Sequence, residues 1–334
     1  MPVTRSRHLD PPTLVAVTGV LEPTAKQQVR PSPWEVGGRR PARRRVLLLG
    51  TALAFATVSA FFGFPTGREV VTAWLLLVLL GVVGGDGAAW RRAVAHDWLP
   101  LLAVLFAYDS LRGFAKDLVG RAHVLPQLRA DEFLFGGRVP SAWLQEHLYR
   151  ADPSWFDYAI VPVYMSHFVV PTAVAAGLWA TSYERFRRYA WSLVVLTAAT
   201  LLTYALFPAV PPWLASQTTT GLLPQVVRVT SHTLEVSGIP TIHNAVQRGE
   251  AYANPVAAIP SLHSAVPMLI ALLSWPFCRL RGRLLLIAYV TAMTFALVYG
   301  GEHYVVDVLL GWLYAVAAVA AVGWLLPRLD RRRR

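Results

Sequence analysis

Long apolar runs separated by short polar segments dominate the chain and constrain its fold more than any other feature. They lie at about 46–64, 70–84, 97–114, 158–180, 189–208, 262–278, 283–300 and 304–326. A helix needs about 20 mostly apolar residues to cross a bilayer, and most of the runs approach this length, the second being the shortest. Because lipid offers no hydrogen bonds to the backbone, such spans must be helical. We therefore predict an all-α polytopic membrane protein with about eight transmembrane helices.

The composition supports a membrane protein and argues against a nucleic-acid partner. The chain is 55% hydrophobic and 15% charged, whereas a soluble domain carries about 25% charged residues. The net charge of +12 comes from arginines clustered at the ends of the apolar runs, not from a binding stripe. We expect membrane lipids as partners. With Cys278 as its one cysteine, the chain can form neither an intramolecular disulfide nor a cysteine metal cluster.

The arginine clusters predict the orientation in the membrane. They are "RRPARRR" before the first span, "WRRAVAHD", "YERFRR" and "CRLRGR" between later spans, and "RLDRRRR" at the end of the chain. With eight spans they all fall on one side, which is then cytoplasmic. Both termini are therefore predicted to be cytoplasmic, and segments 112–157 and 208–260 to face outward. Lysine is rare and arginine abundant, which hints at a GC-rich bacterial source and hence at a bacterial plasma membrane.

The same pattern divides the chain into regions. Residues 1–45, rich in proline and arginine, are expected to form a disordered or peripheral basic tail. Residues 46–96 are predicted to hold two accessory transmembrane helices, and residues 328–334 a basic tail. Segment 112–157 includes "PSAWLQEHLYRADPSWFDY", whose mixture of tryptophan, leucine and charges predicts an amphipathic helix on the outer membrane surface. The alternative is a covered loop.

Two histidines from distant segments are predicted to meet at the outer ends of their spans. His263 begins the sixth span and His303 the eighth, and Asp307 follows His303 by four residues. Residues i and i+4 share a helix face, so Asp307 can bind one nitrogen of His303 and leave the other free as a nucleophile. The alternative is a buried pair that only joins helices. Pro260 and Ser261 are typical of a helix start, whose free N–H groups suit a phosphate.

At these residues the chain resembles a known family. "IPSLHSA" and "GEHYVVDVLLG" resemble the second and third motifs of the type-2 phosphatidic acid phosphatase superfamily, while "FPAVPPW" (207–213) and "YDSLRG" (108–113) resemble stretches of its inositol phosphorylceramide synthase branch. The resemblance covers about residues 97–327. It implies a six-helix catalytic core over that region, chemistry that needs neither metal nor cofactor, and a phosphohistidine intermediate.

The resemblance also implies roles for individual residues. His303 would attack phosphorus, with Asp307 orienting it. His263 would protonate the leaving oxygen and then act as a base for the acceptor. Ser261 and the backbone near Ser264 would hold phosphoryl oxygens.

The chain departs from the superfamily at two cationic positions. The first motif, a lysine followed by Arg-Pro, has no clean match, and Val298 stands where the phosphatases have an arginine five residues before the third-motif histidine. Arg112, oriented by Asp109, is predicted to replace the missing phosphate-binding cations. The alternative is that Arg112 lies at the membrane interface and only extends its charged group toward the lipid head groups. In addition, His243 and Asn244 are candidates for binding a head group, and His167 either contacts substrate or makes a hydrogen bond between two helices.

The resemblance implies a membrane phosphotransferase that moves a phospho-head group from a lipid donor to a lipid or sugar alcohol. The branch resemblance implies inositol phosphate as that group. A lipid phosphate phosphatase using the same residues is the main alternative, and a non-catalytic transporter or scaffold is the third. The oligomeric state is not predicted.

Overall fold

The protein is helical through most of the chain that the structure describes. This computed structural model describes residues 41–62, 68–82, 87–104, 106–107, 119–219, 221–237 and 255–332. Most of the predicted N-terminal tail and the candidate residues Asp109, Arg112, His243 and Asn244 lie outside these ranges.

Two helices cover most of the region predicted to hold the accessory transmembrane helices. Helix α1 (Pro41–Phe62) packs against α2 (Arg68–Val82), with the rings of Phe55 and Trp74 5.2 Å apart. Helix α3 (Gly87–Ala93) continues directly into the apolar helical stretch Val94–Val104, which starts with the π-helical turn Val94–Trp98. This stretch overlaps the third predicted span.

Between residues 119 and 154, within the part of segment 112–157 that the structure describes, the chain forms two short helices where one amphipathic helix was predicted. After a 3-10 turn, α4 (Leu125–Leu134) and α5 (Pro140–Leu148) form a hairpin, which we call the cap hairpin. Its connecting turn contains Gly136 and Gly137, both with positive φ. Phe133 is 87% exposed, an arrangement that suits an interfacial element. Its position on the membrane surface stays a prediction.

The remaining helices build the main bundle. In chain order they are α6 (Trp155–Thr181), α7 (Tyr183–Leu206), the short α8 (Pro212–Thr218) and α9 (Val229–Val236), then α10 (Leu262–Ser274), α11 (Leu280–Tyr299) and α12 (Val305–Arg332). Among the described residues, α6, α7, α11 and α12 are long and apolar enough to cross a membrane, and α10 is a shorter apolar helix. The predicted fold class is therefore confirmed.

Helix α10 lies at the centre of this bundle and contacts α6, α7, α11 and α12. Its buried face, which includes Ala265 and Leu269, packs in one apolar cluster with Leu196 of α7 and Ala315 of α12. The cluster also takes in Trp98, which ties the third predicted span to the same core. The arrangement holds the N-terminal ends of α10 and α12 side by side.

The two ends of the bundle differ in character. At one end the Asp97 carboxylate accepts a hydrogen bond from the Tyr183 hydroxyl at 2.6 Å, and Arg187 donates two bonds of 2.9 and 3.1 Å to Asp330. Three of the predicted arginine-rich segments therefore meet at this end, the arginine end. The motif histidines lie at the other, the histidine end. Which end faces the cytoplasm stays a prediction.

Candidate active site

The structure brings the two motif histidines together at the histidine end. His263 lies in the first turn of α10, and His303 lies in the connection between α11 and α12. Their ring centroids are 5.9 Å apart, with the ring planes inclined at 50°. His303 is 5% exposed. This spacing allows both rings to contact one small tetrahedral group that enters between them.

Asp307 lies next to His303, in the first turn of α12. Its side chain is fully buried, and its Oδ2 is 3.5 Å from Nδ1 of His303. The same oxygen accepts a hydrogen bond from the backbone N–H of Tyr304 at 3.0 Å. Because Nδ1 faces the carboxylate, Nε2 is the nitrogen of His303 left for bonding to phosphorus.

Ser261 caps the helix that carries His263. Its hydroxyl oxygen accepts the N–H of Ser264 at 3.3 Å, as an N-cap serine does. The hydroxyl of Ser264 points to backbone carbonyl oxygens of Ser261 and Val308, at 3.0 and 3.3 Å. Ser264 therefore joins α10 to α12 in this structure. The helix start, with its free N–H groups, is the part of the motif suited to a phosphate.

Gly311 lets the two motif helices approach closely. A Cβ atom there would clash with the carbonyl oxygen of Ser261 and with Oγ of Ser264. The backbone N–H of Ser261 also donates to the carbonyl oxygen of Asp307 at 2.9 Å. The spacing of the histidines thus depends on direct backbone contact between the two motifs.

The "FPAVPPW" stretch contacts the residues ahead of both histidines. Ala209 pairs with the segment leading to Ser261, since its N–H donates to Val256 at 2.9 Å and its carbonyl accepts from Ala258 at 3.1 Å. The N–H of Trp213 donates to Gly301 at 3.1 Å, two residues before His303. The stretch therefore supports the site without supplying a reactive group.

Three aromatic side chains of α6 surround His263. Its ring stacks on His167 at 4.0 Å and on Tyr164 at 4.9 Å, and Phe168 approaches edge-on at 5.7 Å. The contact of His167 with the neighbouring helix is ring stacking on His263 rather than the predicted hydrogen bond, and its buried Nδ1 has no hydrogen-bond partner among the described residues. The contacts restrict the plane of the His263 ring.

Arg228 is a cation of the site that the sequence reasoning missed. It precedes α9, and its Nε donates to Glu302 at 2.8 Å. Glu302 is buried, adjoins His303 in the chain, and also accepts from Thr230 at 3.0 Å. The contact with Glu302 places the guanidinium group beside the turn that carries His303. Arg228 thus brings positive charge to the site from an unexpected segment.

Four predicted site residues lie in parts of the chain that the structure does not describe. Asp109, Arg112, His243 and Asn244 lie outside the described residues, so their roles stay predictions. Within the described ranges, no group of three or more histidine, cysteine, aspartate or glutamate side chains is arranged to hold a metal ion.

Comparison with known proteins agrees with these motifs. The profile of the PAP2 superfamily, that of the type-2 phosphatidic acid phosphatases, matches residues 129–321. The chain is also 26% identical over 303 residues to the phosphoinositol dihydroceramide synthase of Bacteroides thetaiotaomicron, an alignment that covers 85% of this chain and 92% of the relative. No solved structure matches the chain.

The matched region contains both histidine motifs and most of the cap hairpin, from residue 129 onward. The predicted family and enzyme class are confirmed, and the protein is a membrane lipid phosphotransferase or phosphatase. The chain therefore belongs to the PAP2 superfamily.

Proposed function

We propose that the protein transfers a phospho-head group from a lipid donor to an alcohol acceptor, through a phosphohistidine at His303. The observation that carries the proposal is the 5.9 Å separation of the His263 and His303 rings, with the Asp307 carboxylate 3.5 Å behind His303. A nucleophile, an orienting carboxylate and an acid–base group are the parts that such a transfer requires.

In the first step, Nε2 of His303 attacks the phosphorus of the donor. A P–N bond forms, and the bond from phosphorus to the lipid oxygen breaks. His263 gives its proton to that oxygen, so the lipid leaves as a neutral alcohol. The carboxylate of Asp307 stabilises the positive charge that develops on the His303 ring.

In the second step, the acceptor enters on the side that the first lipid has left. His263 takes the proton of its hydroxyl group, the acceptor oxygen attacks phosphorus, and the P–N bond breaks. His303 returns to its starting state. If the donor is instead a lipid phosphate monoester and water takes the place of the alcohol, the same residues act as a phosphatase.

The head group and acceptor follow from the relative. That protein is named a phosphoinositol dihydroceramide synthase, and on this ground we propose inositol phosphate as the transferred group and a dihydroceramide-like alcohol as the acceptor. The "FPAVPPW" stretch and the missing phosphatase arginine at Val298 favour this branch over a plain phosphatase. We place the reaction at the outer leaflet of a bacterial plasma membrane, because the arginine clusters predict that orientation.

The test uses the purified full-length protein with phosphatidylinositol labelled in its head group. Without acceptor, the wild-type protein is expected to retain label in a linkage that survives base and is lost in acid. Adding dihydroceramide should move that label to a lipid product. His303→Ala should retain no label, and His263→Ala should slow the transfer by about 10²–10⁴-fold, the usual contribution of general acid–base catalysis.

His147→Ala is the matched control, because His147 is exposed and lies in the cap hairpin; it should behave as the wild type. Rapid release of labelled inositol phosphate with no lipid product would show that the donor is hydrolysed rather than transferred, and release of inorganic phosphate from phosphatidic acid would identify a phosphatase. Full transfer by His303→Ala would overturn the assignment of the nucleophile.

A further inference from the structure

A residue of the cap hairpin caps the helix that follows His303. The carboxylate of Asp131, on α4, accepts hydrogen bonds from the backbone N–H groups of Val305 and Val306, both at 2.9 Å. Asp131 is fully buried. The N–H groups in the first turn of a helix have no partner within that helix. The start of α12 is therefore held by a side chain 174 residues away in the chain.

The second helix of the hairpin holds the chain ahead of His303. Gln145, on α5, donates from Nε2 to the carbonyl oxygens of Tyr299 and Val227, both at 2.8 Å. Its Oε1 accepts from the N–H of Val227 at 2.8 Å. Tyr299 is the last residue of α11, so Gln145 fixes the end of the helix that precedes the His303 turn.

The turn between these two attachment points is tightly packed. Gly301 has a positive φ of 72°, and a Cβ atom there would lie 2.9 Å from the carbonyl oxygen of Val227 and 3.3 Å from Nε2 of Gln145. An L side chain is strained at this φ. The turn therefore packs directly against Gln145 and the backbone of Val227, and it has no space to move toward them.

We infer that Asp131 and Gln145 are positioning residues, which hold the backbone on both sides of His303 so that its imidazole meets the phosphorus of the donor. The inference rests on the proposed function. Both residues act through the backbone rather than on the reacting groups. A misplacement of a reacting group by 1 Å costs about 10²-fold in rate, so two buried attachments flanking the nucleophile have a direct chemical consequence.

The hydrogen bonds of Asp131 also partly compensate for the burial of its carboxylate. Burial raises the pKa of Asp131 to about 6, and the nearby Asp307 carboxylate acts in the same direction, while the two backbone hydrogen bonds oppose it. A buried carboxylate is costly unless it is hydrogen-bonded. Its two bonds to α12 offset part of that cost.

The test compares Asp131→Asn and Gln145→Leu with the wild type in a single-turnover experiment on the full-length protein, using head-group-labelled phosphatidylinositol. The final amplitude of phosphohistidine counts the folded sites, and the rate constant reports how well His303 is placed. Each variant should keep the amplitude and lose about 10-fold to 100-fold in rate. Ser141→Ala is the matched control, because the buried Ser141 hydroxyl on α5 has no hydrogen-bond partner among the described residues.

A loss of amplitude with an unchanged rate in both variants would overturn the inference, because it would mean that these residues only stabilise the fold. If the wild type turns lipid over without phosphohistidine, the proposed mechanism fails instead. The variants are then compared by turnover per folded protein, where the same loss of rate supports the positioning role and unchanged turnover contradicts it.

Discussion

At the scale of the residue, Arg228 supplies the clearest test of how the site binds phosphate. We expect Arg228→Gln to slow phosphohistidine formation by about 10-fold to 100-fold, because a hydrogen bond to a charged group contributes about 1.5–3 kcal/mol. The measurement is the single-turnover rate at low donor concentration. Arg138→Gln, in the exposed turn of the cap hairpin, should have no effect.

The double variant Arg228→Gln/Glu302→Gln separates binding from folding. Arg228→Gln alone leaves the buried Glu302 carboxylate without its ion pair, which destabilises the protein. Neutralising both side chains removes that cost. The double variant should therefore regain thermal stability and stay slow; if it regains the full rate, Arg228 serves only as the partner of Glu302.

The sequence identifies the histidines of the site but not the residues that hold them in place. His263, His303 and Asp307 are recognisable because the span count places both histidines at one depth and i,i+4 spacing places Asp307 on the face of His303. Arg228 and Glu302 are 74 residues apart, and no local period links them. From the sequence alone, Asp131 resembles an ordinary surface charge on a short helix; only the structure shows its hydrogen bonds to α12.

At the scale of the element, the contact between α10 and α12 controls the distance between the two histidines. Gly311→Ala should separate the helices, because the new Cβ atom would meet Oγ of Ser264 at 2.6 Å as well as the carbonyl oxygen of Ser261. We expect a loss of turnover of about 100-fold, as for a displacement of about 1 Å, together with a lower melting temperature.

Gly177→Ala is the matched control for this substitution. Gly177 lies within α6, and a Cβ atom there would meet no atom within 4 Å. Since alanine favours a helix over glycine by about 1 kcal/mol, this variant should be as active as the wild type and at least as stable. Equal activity of Gly311→Ala and the wild type would contradict the close-contact argument.

Hydropathy predicts the approximate positions of the long helices. Their observed boundaries differ from the predicted ones where capping residues or prolines start or end the helix. The predicted span 158–180 is α6, which begins earlier because Ser154 and Asp157 form a capping box at its start. The predicted span 262–278 ends sooner as an α-helix, at Ser274, and continues as a 3-10 turn that contains Pro276. Helices α8 and α9 are too short to register in a window of about 20 residues.

At the scale of the whole molecule, the separation between an arginine end and a histidine end was predictable from the span count. An even number of spans places the arginine clusters together, and the bonds between Arg187 and Asp330 join two of them. The packing of the cap hairpin over the His303 turn was not predictable, because it depends on contacts between segments more than 150 residues apart. The division of the chain into accessory helices and a catalytic core stays a prediction.

The orientation of these ends in the membrane is open to a direct test. In a Cys278→Ser background, single cysteines replace Arg138 at the histidine end and Arg281 at the start of α11, both exposed positions. Because arginine-rich connections are retained in the cytoplasm, a membrane-impermeant maleimide should label Arg138→Cys in intact cells. Arg281→Cys should react only after permeabilisation. The reverse pattern would place the phosphate site on the cytoplasmic side, and the donor would then come from the inner leaflet.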